Sequence, residues 1–283
     1  MKNINPMVNN THKEALPLNY VVEGEGQPVV LVHGLAASLY DWQFLMPVLA
    51  NNGYRAYALD LLGHGNSPKP DNIEAYHFDS LSAHFSHWLQ NLELELPAVL
   101  IGHSLGGFLS LHHAANYPEG ISGLILIDPF YDSQQLSPFL RAANRRPELV
   151  EKAMRIIPPW MVNKVMHWDL KPMNEYSQSV RLQIAEDYKR VSPHFIQITH
   201  SLPDLNSELD KIEHSTLVLW GDNDITLNPR SFPKLVERLP GAAGHEITDC
   251  GHQPHLARPD TFNEIVLKFL ANINNHSAGA RQS

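Results

Sequence analysis

Pro97-Ala98-Val99-Leu100-Ile101-Gly102-His103-Ser104-Leu105-Gly106-Gly107 decides how the rest of the chain is read. Ala98 to Ile101 is a short apolar run of the kind that forms a strand buried on both faces. An apolar-periodic helix follows, carried by Leu105, Phe108, Leu109, Leu111 and His112 as far as Ala115. Between them stands Gly-x-Ser-x-Gly. The motif arises by chance in flexible turns, but strand, sharp turn and helix is the context in which it carries chemistry. The turn is so tight that side chains flanking the serine would collide with backbone, which accounts for Gly102 and Gly106. Ser104 is thereby lifted to the strand end with a helix N-terminus beneath it, where the dipole favours developing negative charge.

Outward from this stretch, strands and helices alternate. Upstream, residues 18–23 and 27–32 read as strands, the second ending at His33-Gly34-Leu35-Ala36. Residues 40–49 carry Trp42, Leu45, Met46 and Leu49 at helical spacing. Residues 55–59 form a strand leading into Asp60-Leu61-Leu62-Gly63-His64-Gly65-Asn66-Ser67. Residues 78–94 form an amphipathic helix with Asp79 or Ser80 as N-cap. Downstream, a strand at 121–127 closes on Asp128-Pro129, and another at 216–220 precedes Gly221-Asp222-Asn223-Asp224. A helix at 232–239, a strand at 244–248 reaching Gly251-His252 and a helix at 261–273 complete the series. Between Tyr131 and Glu213 only helical patterns occur, broken by prolines, over a length too great for a structureless loop. The pattern implies an α/β fold with a mostly parallel sheet, helices on both faces and a helical insertion. The expected layout is a flexible tail at 1–17, a core at 18–130 and 214–273, a helical cap at 131–213 and a disordered tail at 274–283. Sites in such sheets lie at the C-terminal strand ends, where each suspicious polar residue falls.

A serine hydroxyl is a poor nucleophile without a base. His252 follows the last strand, and Gly251 leaves it room. His245, inside that strand, and His255, in the following turn, are less well placed. The base needs an acid to fix its tautomer, and Asp224, 28 residues before His252, gives the order Ser, Asp, His. Asp128 and Asp222 are second choices, since an Asp in such a loop commonly makes a turn through its own side chain. Attack on a carbonyl creates an oxyanion, and losing one donor to it costs about 3 kcal/mol. The backbone N–H groups of Leu105 and Leu35 are the expected donors, with the Leu35 side chain walling the pocket. His33, His64 and His103 are expected to hold loop backbone.

These pieces together resemble the α/β-hydrolase superfamily, in its serine-nucleophile, cap-bearing, esterase- and lipase-like branch. The matching stretches are His33-Gly34, Asp60 to Ser67, Gly102 to Gly107, Gly221-x-x-Asp224 and Gly251-His252-x-Pro254-His255-Leu256. The resemblance implies the α/β-hydrolase fold and a catalytic triad over residues 18 to 273. Relatives with an aspartate nucleophile, the haloalkane dehalogenases and epoxide hydrolases, differ from Ser104, and the loop His33-Gly34-Leu35-Ala36 departs from the His-Gly-Gly loops of proline iminopeptidases and hormone-sensitive-lipase-like esterases. Meta-cleavage carbon–carbon hydrolases share the Gly-His-Ser-x-Gly-Gly elbow but have a Gly-rich oxyanion loop. The expected activity is hydrolysis of small to medium, largely apolar carboxylic esters. Carbon–carbon hydrolysis and lipase action are the alternatives, and a non-catalytic ligand receptor on the same fold is the rival from another class.

Composition excludes other partner classes and leaves the small-molecule ester that the motifs and the resemblance imply. The chain has 283 residues, 43% hydrophobic and 18% charged, and a formal charge of −9 without a basic cluster, which argues against nucleic acid. One cysteine, Cys250, permits no intrachain disulfide and suits a reducing, cytoplasmic compartment. Residues 1–13 have no apolar stretch of the signal-peptide kind, and no run approaches the ~18 residues of a membrane span, so no integral membrane contact is expected. No cluster shows metal-ligand spacing: His112 and His113 diverge on a helix, so neither metal nor organic cofactor is expected. Phe139, Leu140, Met154, Ile156, Ile157, Trp160, Met161, Val165, Met166 and Trp168 furnish the insertion with apolar side chains. Most of these pack helices together, while Trp160 and Met161, with Leu35, are expected to line the substrate pocket. Residues 157–161 read alternatively as a lipid-facing lid, and Arg141, Arg145 and Arg146 as a solvated helix face or an anion site.

Overall fold

The computed structural model describes residues 15–136, 141–142, 145–158, 160–162, 164 and 177–280. The expected tail before residue 15 lies outside them, as do Phe139, Leu140, Val165, Met166, Trp168 and the side chain of Met154.

Seven strands form one sheet in the order β1-β3-β2-β4-β5-β6-β7. They are β1 (Tyr20–Glu23), β2 (Gln27–Val32), β3 (Tyr54–Leu59), β4 (Ala98–His103), β5 (Ile121–Ile127), β6 (Thr216–Gly221) and β7 (Ala243–Ile247). Only β1 runs antiparallel, pairing Tyr20 with Leu59 at the edge. The apolar runs alternate between two cores, as the pleat requires. Val30, Val32, Tyr57, Leu59 and Leu100 face one layer, with α2 (Phe78–Gln90), α3 (Leu105–Asn116) and α7 (Phe232–Arg238). Val29, Leu31, Ala56, Ala58, Val99 and Ile101 face the other, with α1 (Met46–Asn51) and α9 (Pro259–Ala280). The strand order reverses between β2 and β4, and crevices at such reversals are where open α/β sheets bind ligands.

Three helices differ from expectation in their bounds or their caps. Residues 40–49 split into a 3-10 turn at Leu39–Trp42 and α1, because Pro47 lacks an N–H and its ring forbids a continuous helix through it. The α2 helix starts at Phe78 after His77, with neither Asp79 nor Ser80 as cap; the Phe78 N–H donates instead to Ser201 Oγ at 2.7 Å, a cap from a distant segment that local sequence cannot reveal. The closing helix runs to Ala280 rather than Ile273, over ground expected to be a disordered tail, since no proline or glycine interrupts it before Gly279.

Between β5 and β6 the described residues form α4 (Pro147–Ile156), α5 (Ser177–Arg190), α6 (Gln197–His200) and short 3-10 turns. This helical excursion is tied to the sheet by backbone, with Ser192 N–H donating to Gly63 O at 2.8 Å. Asp60 organises the receiving loop: its carboxylate accepts from the N–H of Leu39 (2.8 Å) and of Asn66 (2.7 Å) and from the Asn19 amide (2.7 Å). A Cβ on Gly65 would stand 2.1 Å from the Asp60 carboxyl carbon, so only glycine permits that closure.

Candidate active site

Ser104 sits between β4 and α3 with φ 51° and ψ −111°, a strained conformation for a non-glycine residue. Three backbone hydrogen bonds hold it there: Ser104 N–H to Ile127 O at 2.9 Å, and the N–H groups of Phe108 and Phe130 to Ser104 O, each at 3.1 Å. The glycines around it have no alternative. A Cβ on Gly102 would lie 2.4 Å from Gly106 O, and one on Gly106 would lie 2.1 Å from Val32 O. Leu105 opens α3, so its N–H is among the amides that have no acceptor within the helix. The loop after β2 approaches from the other side, with Ala36 held at φ 59° directly after Leu35. Strain thus collects at Ala36, Ser104 and Asp128 (φ 40°), at the C-terminal ends of β2, β4 and β5.

His252 and Asp224 meet as the sequence reading expects. His252 Nδ1 lies 2.7 Å from Asp224 Oδ2, and both residues are buried. The other Asp224 oxygen accepts the N–H groups of Thr226 (2.7 Å) and Leu227 (2.9 Å), which fixes the carboxylate in place. Asp128 also comes close: its carboxylate, that of Asp224 and a His252 nitrogen lie within 4.8 Å of one another, while Asp128 Oδ1 accepts the Gly221 N–H at 3.1 Å. Asp222 does not join this group. It accepts the Cys250 N–H at 3.1 Å, a contact across 28 residues that ties the loop after β6 to the one after β7.

The remaining histidines separate by environment. His33 Nε2 accepts the Leu61 N–H at 3.0 Å, so its Nδ1 donates to Gly34 O at 2.7 Å. His64 contacts Leu62 O through Nδ1 at 3.0 Å, and burial pushes its pKa down to about 3. His103 Nε2 donates to the main-chain carbonyl of His252 at 2.9 Å, linking the serine strand to the histidine loop. Burial, with the Asp41 pairing opposing it, brings His103 to about 4. His245 is exposed on β7. His255, expected in a turn, lies in the short helix α8 (Pro254–Ala257) and is buried.

Sequence reading missed a second buried trio. Asp41 Oδ2 stands 3.7 Å from His103 Nδ1 and 3.8 Å from His255 Nε2. Burial raises the Asp41 pKa, but the two imidazoles outweigh it and hold the carboxyl far below its ordinary range. Asp41-His103-His255 and Asp128-Asp224-His252 are the groupings among the described residues whose spacing could hold a cation. The missed signal was an acid inside the apolar helical pattern around Trp42.

A cavity of about 290 Å³ adjoins the loop after β2. Leu35 and Met161 line it, and Gln253 carries it to the residue beside His252. Trp160 is not on its wall and is 65% exposed. Asp187 and Tyr188 of α5 do line it; the sign in the sequence was an acid interrupting the stripe Val180, Ile184, Val191. Arg141, Arg145 and Arg146 are exposed. No helix among the described residues is long and apolar enough to cross a membrane.

Comparison with known proteins agrees with this architecture. The chain is 31% identical over 256 residues to a dihydrolipoyllysine-residue acetyltransferase component of an acetoin cleaving system from Pseudomonas putida, covering 87% of this chain and 64% of that one. It thus spans less than two thirds of that relative's length. It is 28% identical over 252 residues to a 2-hydroxy-6-oxo-2,4-heptadienoate hydrolase of a Pseudomonas putida strain, covering 88% of this chain and 90% of the relative. The fold is shared with a thermophilic esterase from Thermogutta terrifontis, with TM-score 0.76, 23% identity and coverage of 90% and 93%. The profile of the alpha/beta hydrolase fold family matches residues 27–259, and the chain belongs to that family.

Proposed function

We propose that this chain is a serine carboxylesterase acting on small to medium, largely apolar esters. The observation that carries the reading is a strained serine at a strand–helix elbow, in the same molecule as a buried imidazole hydrogen-bonded to a carboxylate at 2.7 Å. In this account the His252 Nδ1–H donates to Asp224, which leaves Nε2 as the base. His252 takes the proton of Ser104, whose Oγ attacks the ester carbonyl. The N–H groups of Leu35 and Leu105 bind the oxyanion. His252 then protonates the departing alcohol, and a water activated by the same imidazole releases the acid and restores Ser104. The helical segment between β5 and β6 serves as a cap over the cleft, and the chemistry needs no cofactor.

A fluorophosphonate probe tests the nucleophile. One covalent adduct on the Ser104 peptide, absent in Ser104→Ala and strongly slowed in His252→Ala, supports the mechanism. Labelling elsewhere, or none on folded protein, contradicts it. A lipase is the second reading, favoured by the exposure of Ile156 (80%) and Trp160 (65%) on the helical segment. A rate jump when substrate forms an interface would identify it.

A further inference from the structure

Resting on the esterase reading, the cavity beside Leu35 narrows the substrate class. Its wall is mostly apolar, with Ile157, Met161 and Ile184 opposite the Leu35 loop. Two acidic residues, Asp41 and Asp187, belong to its wall, and among the described residues no lysine, arginine or histidine does. We propose that the substrate group entering this cavity is uncharged or cationic, and that Asp41 and Asp187 exclude a carboxylate from it.

The two acids are held in the cavity wall by different partners. Asp187 is fixed by Ser38 Oγ–H at 2.7 Å and the Gln183 amide at 3.1 Å. Its ion-pair partner among the described residues, Arg190, is 3.9 Å away, lies off the cavity wall and gives a guanidinium N–H to Asn66. The imidazoles facing Asp41, at 3.7 and 3.8 Å, stand beyond hydrogen-bond reach. Among the described residues neither acid takes a hydrogen bond from a cation. Like charges about 5 Å apart at an effective dielectric near 20 oppose each other by on the order of 100-fold in binding. An ammonium or a neutral chain meets no such opposition.

Three p-nitrophenyl esters with six-carbon acyl chains test this: hexanoate, 6-aminohexanoate and hemiadipate. The expected kcat/KM for hexanoate and for 6-aminohexanoate each exceeds that for hemiadipate by on the order of 100-fold. The ratio should hold between low and high salt, because buried charges are weakly screened. Asp187→Asn should narrow the hexanoate-to-hemiadipate ratio about tenfold, and Asp41→Asn serves if that variant does not fold. Hemiadipate turned over within tenfold of hexanoate overturns the proposal while leaving the esterase reading intact. So does a ratio unchanged in both folded variants. If no ester is turned over, the esterase reading fails on its own, and calorimetry decides the cavity: hexanol and hexylammonium binding well above hexanoate supports the charge selection, and hexanoate binding equally overturns it.

Discussion

At the residue scale the account turns on which acid serves His252. Asp224 holds the 2.7 Å contact and two backbone donors, whereas Asp128 spends one oxygen on the Gly221 N–H. Asp224→Asn should lower kcat by about 10⁴-fold by releasing the wrong tautomer, while Asp128→Asn should cost at least 100-fold less. Steady-state kinetics on the two folded variants decides the assignment, and an inverted order would move the role to Asp128. The glycines are equally exacting. Gly106→Ala would drive a methyl to 2.1 Å from Val32 O, so urea unfolding should find it destabilised by about 3 kcal/mol or more. Ser104 and Gly106 stood out in the sequence because a motif, a strand and a helix coincided there, and His252 because it follows the last strand in the order Ser, Asp, His. Asp41 and Asp187 were not, because each matters only through residues far along the chain, such as Ser38 against Asp187.

At the scale of elements, His103 joins three segments. Its Nε2–H holds the His252 carbonyl at 2.9 Å, its ring packs 4.9 Å from the His252 ring, and a Cβ on Gly34 would come 2.8 Å from its Nδ1. The sequence reading expected His103 to hold backbone, and the structure identifies which. His103 acts as a positioning residue for His252 in this account. His103→Gln keeps a donor, whereas His103→Phe keeps the volume and loses it. The Gln variant should therefore retain the greater kcat, with Phe falling roughly tenfold or more and KM changing little in either. A Phe variant as active as Gln would show the side chain to be packing alone. The strands were the most legible elements: residues 27–32 and 121–127 match β2 and β5, since a run buried on both faces leaves one pattern. The helix ends were less so, because Ser201, not a local residue, satisfies the first amide of α2.

For the whole molecule, buried neutral histidines set the acid limit of stability. Burial lowers His64 to about 3, and His103 and His113 to about 4, against an ordinary value near 6.5. Above pH 6.5 these groups are neutral folded or unfolded and contribute no pH dependence. As pH falls below 6.5 the unfolded chain takes up protons that the folded chain refuses, so stability is lost progressively toward pH 4. Three such groups imply up to about 4 kcal/mol per pH unit in that window. Asp187, raised by burial, opposes this by at most one proton at the acid end. Urea midpoints at pH 7, 6 and 5 should fall steeply, and flat midpoints would show that these histidines titrate normally when folded. The mostly parallel sheet followed from alternating patterns, but its strand order and the reversal between β2 and β4 did not, and neither did the cavity between the loop after β2 and α5, since periodicity does not say which helix face turns inward.

The central claim is that Ser104 is the nucleophile of an esterase. Hydrolysis of p-nitrophenyl esters from acetate to palmitate, by the wild type and Ser104→Ala side by side, tests it most directly. The account expects turnover with a short- to medium-chain optimum, reduced at least about 10⁴-fold in a folded Ser104→Ala. Turnover that survives in the variant, or no turnover by well-folded wild type at any chain length, would contradict it.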